Sequence, residues 1–313
     1  MTITQLKYVL AVAEYRNFTT ASEHCFVTQP TLSMQIHKLE EELEIQIFNR
    51  NKKPIEVTEV GKKIVNQAKT IVNESSRITD IVQQEKGYIG GEFKLGIIPT
   101  IMPSLLPLFL KSFNKKYPEV ELIINELTTE EIVQKLKDGH LDAAIAATPL
   151  QEDLLKEAPI YYEPFVGLVH ENHRLFDQKD LTPQDLDVDD LLLLEDGHCF
   201  KESVLNICSS LNNKKTKKFS LQSGSFDTLI KLTDEGLGMT LLPYLNSMDL
   251  SESKQKLIRE FKSPYPAREV SIIYHKAGLK LQIINALKEE ISSIIRGIIA
   301  FSDVDIVSPL KMK

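Results

Sequence analysis

The alternation of short apolar runs with helix-spaced segments over residues 93–146 constrains the fold of this chain more than any other feature. Phe93-Lys-Leu-Gly-Ile-Ile, Val120-Glu-Leu-Ile-Ile and Leu141-Asp-Ala-Ala-Ile-Ala read as strands, and residues 105–117 and 130–137 between them as helices. Thr128 with Glu131 makes a capping box at the second helix, and Gly139 closes it. Strand, helix, strand, helix, strand is the pattern of a parallel sheet covered by helices. Residues 162–170 open a second such unit, which runs through Leu191-Leu-Leu-Leu, Lys218-Phe-Ser-Leu-Gln and a helix at 228–233 to a strand at Met239-Thr-Leu-Leu-Pro. Residues 268–274 read as a strand returning to the first unit, followed by a helix at 281–295. The expected architecture over 90–300 is α/β, with two Rossmann-like lobes. The first lobe is about 90–162 plus 268–300, and the second about 163–267.

A length of 313 residues matches two domains with a sizeable core in each. No apolar run approaches the roughly 20 residues of a membrane span. The first residues lack the basic-then-apolar pattern of a signal peptide, and the three cysteines are too few and too scattered for a secreted scaffold. A cytoplasmic protein is expected. Basic and acidic residues balance over 1–90, so the net charge of −7 lies entirely in the rest. Any nucleic-acid surface must therefore be local.

Leu6, Val9, Leu10 and Ala13 have the offsets of an amphipathic helix, and a second short helix follows Phe18. A third starts after Thr28, a credible N-cap, with Pro30 in its first turn, where no backbone N–H is needed. Leu32, Ile36, Leu39 and Leu43 give it an apolar face, while its other face begins with Gln29, Thr31 and Ser33, short polar groups suited to base edges and phosphates. This describes a helix-turn-helix over about 18–37. Residues 49–58 read as a β-hairpin wing whose Arg50, Lys52 and Lys53 face phosphates, completing a domain at 1–58. From Thr58 one long helix carries Ile64, Ala68, Ile71, Ser75, Ile78 and Val82 in a heptad-like seam and ends at a hinge of Gly87, Gly90 and Gly91, so 59–89 forms a linker. The seam serves either a partner helix or the helix's own domain.

Val27-Thr-Gln-Pro-Thr-Leu-Ser, with Leu39-Glu-Glu-Glu-Leu and Phe48-Asn-Arg, resembles the N-terminal signature of the LysR-type transcriptional regulators. The resemblance implies that Thr28, Gln29, Pro30, Thr31, Ser33, His37 and Lys38, with Arg50 and Lys53 of the wing, contact promoter DNA. It also implies that the linker helix dimerises and that the two lobes form an effector domain like a type II periplasmic binding protein. Family members assemble as tetramers built from dimers and work with RNA polymerase. Where the family often has a basic residue this chain has His37, which points to a different sequence preference.

Cys199 and Cys208 lie where a strand-like run gives way to helical spacing, with Phe200, Val204, Ile207 and Leu211 in register. A helix N-terminus favours a thiolate. Nine helical residues separate the two by roughly 13 Å, whereas a disulfide needs Cα atoms within about 7 Å. Spacing leaves two readings open, a pair of packed small residues or a redox pair whose bridging unwinds the helix. Glu195-Asp-Gly-His-Cys199 with a second cysteine at 208 resembles the peroxide-responsive members of the LysR family. That resemblance implies a switch in which hydrogen peroxide oxidises Cys199, Cys208 resolves it into a disulfide, and a glutaredoxin- or thioredoxin-type reductant resets it. It places His198, Thr100, Thr129 and Arg268 around the peroxide. Where the family often has two arginines, this chain has Ala267 before Arg268. Cys25 reads as a packed residue. The rivals are a LysR-type regulator with a metabolite in the same cleft and inert cysteines, and a thiol peroxidase. There is no zinc-type cysteine and histidine cluster, phosphate loop or G-x-S-x-G elbow, so neither metal nor cofactor is expected. Residues 301–313 carry no assignable pattern.

Overall fold

A computed structural model of the chain describes residues 1–85, 89–195, 199–208, 224–278 and 280–310. It divides into two compact units, Met1–Tyr88 and Ile89–Lys313. In the first, α1 (Ile3–Tyr15), α2 (Phe18–His24) and α3 (Gln29–Glu42) precede a hairpin of β1 (Phe48–Asn49) with β2 (Glu56–Val57) and then the long α4 (Glu59–Glu85). Each short helix has a side-chain cap. Thr2 and Gln5 form a capping box on α1, the Asn17 carboxamide accepts the N–H groups of Thr19 and Thr20, and Thr28 caps α3 with Pro30 in the first turn. Leu32, Ile36 and Leu39 are fully buried against Leu6, Val9 and Val12, as their spacing predicts. Strands β1 and β2 pair antiparallel, so the wing forms.

Helix α4 is fixed at its start. Thr58 Oγ1 donates to the Gln46 carbonyl at 2.7 Å and accepts the Gly61 N–H at 2.9 Å. A side chain at Gly61 would place its Cβ 2.3 Å from the Ile47 carbonyl oxygen, so only glycine allows this approach. The apolar seam is divided. Ala68 is buried in the core of its own unit with Ile64 and Ile71 packed beside it, whereas Ile78, Ile81 and Val82 are exposed.

The second unit begins with β3 (Gly91–Ile97), α5 (Met102–Lys116), β4 (Val120–Glu126), α6 (Thr129–Lys137) and β5 (Ala143–Thr148). Strand β3 lies parallel between β4 and β5, the expected βαβαβ layer. The long β6 (Leu155–Leu168) then carries the chain from one core to a second. There follow β7 (Asp180–Leu181), α7 (Cys199–Ile207), α8 (Phe226–Asp234), β8 (Thr240–Pro243), α9 (Tyr244–Met248), α10 (Glu252–Gln255) and β9 (Ile258–Phe261). Strand β10 (Tyr265–His275) returns to pair with β5 and β6, α11 (Leu281–Arg296) covers the first core, and β11 (Val304–Ile306) joins β10. The sheet order is β4-β3-β5-β10-β6-β9-β7, with β8 also on β6. Among the described residues no helix is long and apolar enough to cross a membrane.

Three expectations need correction or extension. The second lobe is not a copy of the first, because β8 and β9 run antiparallel to β6. Apolar periodicity reports a strand but not its direction. The run Leu191–Leu194 is not a strand. Leu191 makes a single bridge to Met239, where the chain at Gly238 passes so close that a Cβ would lie 2.5 Å from the Asp190 carbonyl oxygen. Leu191, Leu192 and Leu194 are nonetheless buried, because an apolar run records burial whether or not a ladder forms. Lastly, the tail without a sequence pattern contributes a strand, Val304–Ile306, to the sheet. The strand expected at residues 218–222 lies outside the described residues.

Candidate functional site

The first unit presents the start of α3. Thr28, Gln29, Pro30 and Thr31 are exposed, with the hydroxyls of Thr28 and Thr31 2.8 Å apart, and His37 and Lys38 are exposed further along. His37 Nε2 lies 3.4 Å from the Glu41 carboxylate one turn on. Ser33 is half-buried because Arg50 Nη1 donates to its Oγ at 3.3 Å. Lys53 is exposed on the wing.

Arg50 departs from a purely phosphate-facing role. Its Nη2 pairs at 2.7 Å with the Glu40 carboxylate, and its guanidinium carbon sits 5.1 Å from the centre of the Phe18 ring. Glu40 is buried and also accepts the N–H groups of Ile47 and Phe48 at 2.8 and 3.1 Å. One carboxylate thus ties α3 to the wing, with Arg50 as its counter-charge. Sequence reasoning missed two apolar groups on the same unit. Phe26, in the left-handed region at φ 54°, is 95% exposed, and Met34 on α3 is 60% exposed. Met34 breaks an otherwise polar face three residues after Thr31, a signal that was open to reading.

In the second unit the ends of β3 and β4 are level, since Ile97 is in register with Glu126. Thr100 and Thr129 each lie three residues past those ends, at the carboxyl edge of the sheet, where ligands of open α/β sheets bind. Thr100 is buried, and Thr129 is half-buried as the first residue of α6. Arg268 on β10 is 1% exposed and meets Thr100 directly, with Nη1 donating to Oγ1 and Nη2 to the carbonyl, each at 3.0 Å. Its other partner is Glu163, opposite it on β6 and fully buried, bonded from Nε at 2.9 Å and Nη2 at 2.7 Å. Glu163 in turn accepts the Leu245 N–H at 3.0 Å. A guanidinium has five N–H donors, and one of those on Nη1 is left over among the described contacts.

Sequence reasoning overlooked Glu163, although a lone acid in the apolar run 161–169 was its signal. Tyr161 was also missed. It is buried, its hydroxyl has no hydrogen-bond partner among the described residues, and burial, reinforced by the Glu163 carboxylate, holds its pKa well above the usual phenol range.

Helix α7 opens with Cys199 and reaches this cluster at its next residue, where the Phe200 ring centre lies 5.6 Å from the Arg268 guanidinium carbon. Cys208 follows the end of the helix, buried at 6% exposure, with Sγ donating to the Val204 carbonyl at 3.3 Å. Burial, aided by Asp187, pushes its pKa up to about 11. Cys25 packs beside the core of the first unit, and burial raises its pKa too. His198, expected at the peroxide, lies outside the described residues. No group of side chains suited to a metal ion occurs among the described residues.

Residues 3–62 match the family of bacterial regulatory helix-turn-helix proteins of the lysR family, and residues 86–293 match the LysR substrate binding domain. The hydrogen peroxide-inducible genes activator of Haemophilus influenzae is 31% identical over 95% of this chain and 100% of its own length. The DNA-binding transcriptional dual regulator OxyR of Escherichia coli is 31% identical, over 88% of this chain and 89% of its own. Among solved structures, a full-length OxyR variant from Pseudomonas aeruginosa superposes with a TM-score of 0.77 at 32% identity, covering 93% of this chain and 98% of that one. An OxyR mutant from Corynebacterium glutamicum with hydrogen peroxide bound gives 0.63 at 27% identity, covering 95% of this chain and 93% of that one.

Proposed function

The chain belongs to the LysR family of DNA-binding transcriptional regulators, and on that premise we propose that it activates transcription in response to hydrogen peroxide through Cys199. The observation that carries the reading is the meeting of the first turn of α7 with the Arg268–Thr100 cluster. There the helix dipole and a buried guanidinium favour a thiolate. The Cys199 thiolate attacks one peroxide oxygen, the O–O bond breaks, and hydroxide leaves to become water. Thr100, Thr129, His198 and the remaining Arg268 donor hold the peroxide and stabilise the charge on the departing oxygen. Thr100 Oγ1 already accepts from Arg268, which leaves its own proton to donate.

The sulfenic sulfur is then attacked by Cys208, the S–O bond breaks, water leaves, and the 199–208 disulfide forms. With its pKa near 11, Cys208 is a poor nucleophile while the helix stands. Bridging requires the helix to unwind, since roughly 13 Å must close to within about 7 Å. Refolding alters packing between subunits and the spacing of the DNA-reading heads. The assembly is a tetramer of two dimers held in part by Ile78, Ile81 and Val82, whose side chains are exposed on α4. Thr28, Gln29, Pro30, Thr31, Ser33, His37 and Lys38 read promoter DNA while Lys53 meets phosphate. Arg50 holds the wing and reaches phosphate only with what Glu40 leaves exposed. The setting is cytoplasmic, with RNA polymerase as the downstream partner and a glutaredoxin- or thioredoxin-type protein as the reductant.

Footprinting on the chain's own promoter tests the proposal. Peroxide alone, without any metabolite, changes the wild-type footprint, while Cys199→Ser binds as the reduced form and does not respond. A Cys199→Ser protein that still switches with peroxide sinks the assignment.

A further inference from the structure

The chain beyond α11 returns to the element that carries the cysteines. Val304–Ile306 pairs with Tyr265–Ala267, and the Val307 N–H donates to the Ala267 carbonyl at 2.8 Å, next to Arg268. The Val307 side chain is buried in the core that holds Phe200, Val204, Ile207 and Cys208. The carbonyls of Ser308 and Leu310 then both accept from Asn206 Nδ2, at 2.9 and 2.8 Å, and Ser203 Oγ reaches Ser308 O at 3.5 Å. An amide nitrogen has two N–H groups, so Asn206 commits both to the tail.

Ser203 and Asn206 are three residues apart and share a face only while α7 is helical. Drawing residues 199 and 208 together dissolves that face, and the two tail carbonyls then lose their donor. The tail therefore binds the helical, reduced form in preference to the bridged form. A contact made in only one of two states shifts the equilibrium between them.

We propose that Asn206 is a positioning residue which, with residues 304–310, clamps the cysteine helix and sets the redox poise of the switch. The clamp rests on the proposed 199–208 disulfide. It stabilises the dithiol, and stabilising the reduced form makes a disulfide more oxidising. Loosening it makes the bridge form at milder oxidation.

The test equilibrates the full chain in glutathione buffers, where the dithiol and one oxidised glutathione exchange for the disulfide and two reduced glutathiones. The 199–208 bridge is read by mass spectrometry. Asn206→Ala should raise the oxidation equilibrium about tenfold, a midpoint roughly 30 mV more negative for this two-electron couple. A chain ending at Asp303 should shift it in the same direction and at least as far. Hydrogen exchange on wild type should accelerate across residues 304–310 once the bridge has formed. A loss of stability common to both redox states would leave the midpoint where it was. If the bridge forms in wild type but Asn206→Ala leaves the midpoint unchanged, or if oxidation does not loosen the tail, the clamp is overturned and the disulfide reading stands. If wild type forms no 199–208 bridge, both readings fail.

Discussion

Glu40 accepts from Arg50, Ile47 and Phe48 together, and this determines what a substitution at Arg50 does. Arg50→Ala leaves a buried carboxylate with only its two backbone donors, and should cost about 1–2 kcal/mol, less than a fully buried pair because the guanidinium is part-exposed. Lys53→Ala should leave stability unchanged and reduce the salt slope of DNA binding by about one unit. Urea unfolding and binding titrations at several salt concentrations separate the two; a stable Arg50→Ala chain would refute the structural role. Cys208 makes a second residue-scale prediction. Its folded pKa of about 11 lies above the ordinary 9.0, so the folded state holds its proton more tightly than the unfolded chain. That contribution is complete below about pH 9 and declines as pH rises towards 11. The stability of Cys208→Ala relative to wild type should therefore improve over that window, measured by denaturant unfolding of the reduced protein. A difference independent of pH would count against the buried thiol.

Among the elements, α4 combines a fixed start with an uncovered end. The approach of Gly61 to Ile47 means that Gly61→Ala forces the backbone apart, at a cost of about 1–3 kcal/mol. Thermal unfolding of the first unit checks this, and a neutral substitution would show that the α4 start is not tight. Helix α7 differs, because its ends carry the two proposed redox groups. Its burial through Phe200, Val204 and Ile207 supplies the packing that bridging must disrupt. The Phe200 ring is packed between Phe165 and Phe226, with centroids 5.4 and 4.9 Å away.

At the scale of the second unit, two cores meet where β6 passes from one to the other, and Arg268–Glu163 bridges β10 to β6 at that passage. Removing one partner from a buried pair strands the other charge. Glu163→Ala should destabilise by about 3–5 kcal/mol, and the double replacement Glu163→Leu with Arg268→Leu by considerably less. Denaturant midpoints of the three proteins decide it; equal losses in single and double variants would show that the charges do not depend on each other.

The sequence alone determined the elements whose signal is local. Period-two and period-3.6 apolar patterns, the caps at Thr28 and Thr128 and the N-terminal string from Val27 to Ser33 specify the helix-turn-helix and the βαβαβ layer, because each depends on neighbours within a turn or a strand. The cysteine spacing and the place of Thr100 just past a strand end were legible in the same way, whereas Arg268 entered only through the family resemblance. The tertiary structure alone decided the partners. That Arg50 faces Glu40, that Arg268 is shared between Glu163 and Thr100, and that Asn206 holds the tail 102 and 104 residues further on are contacts between distant segments. No residue type announces such a pairing. Strand direction in the second lobe and the irregular path of Leu191–Leu194 belong here as well, since burial writes an apolar pattern into a sequence and hydrogen-bond direction does not.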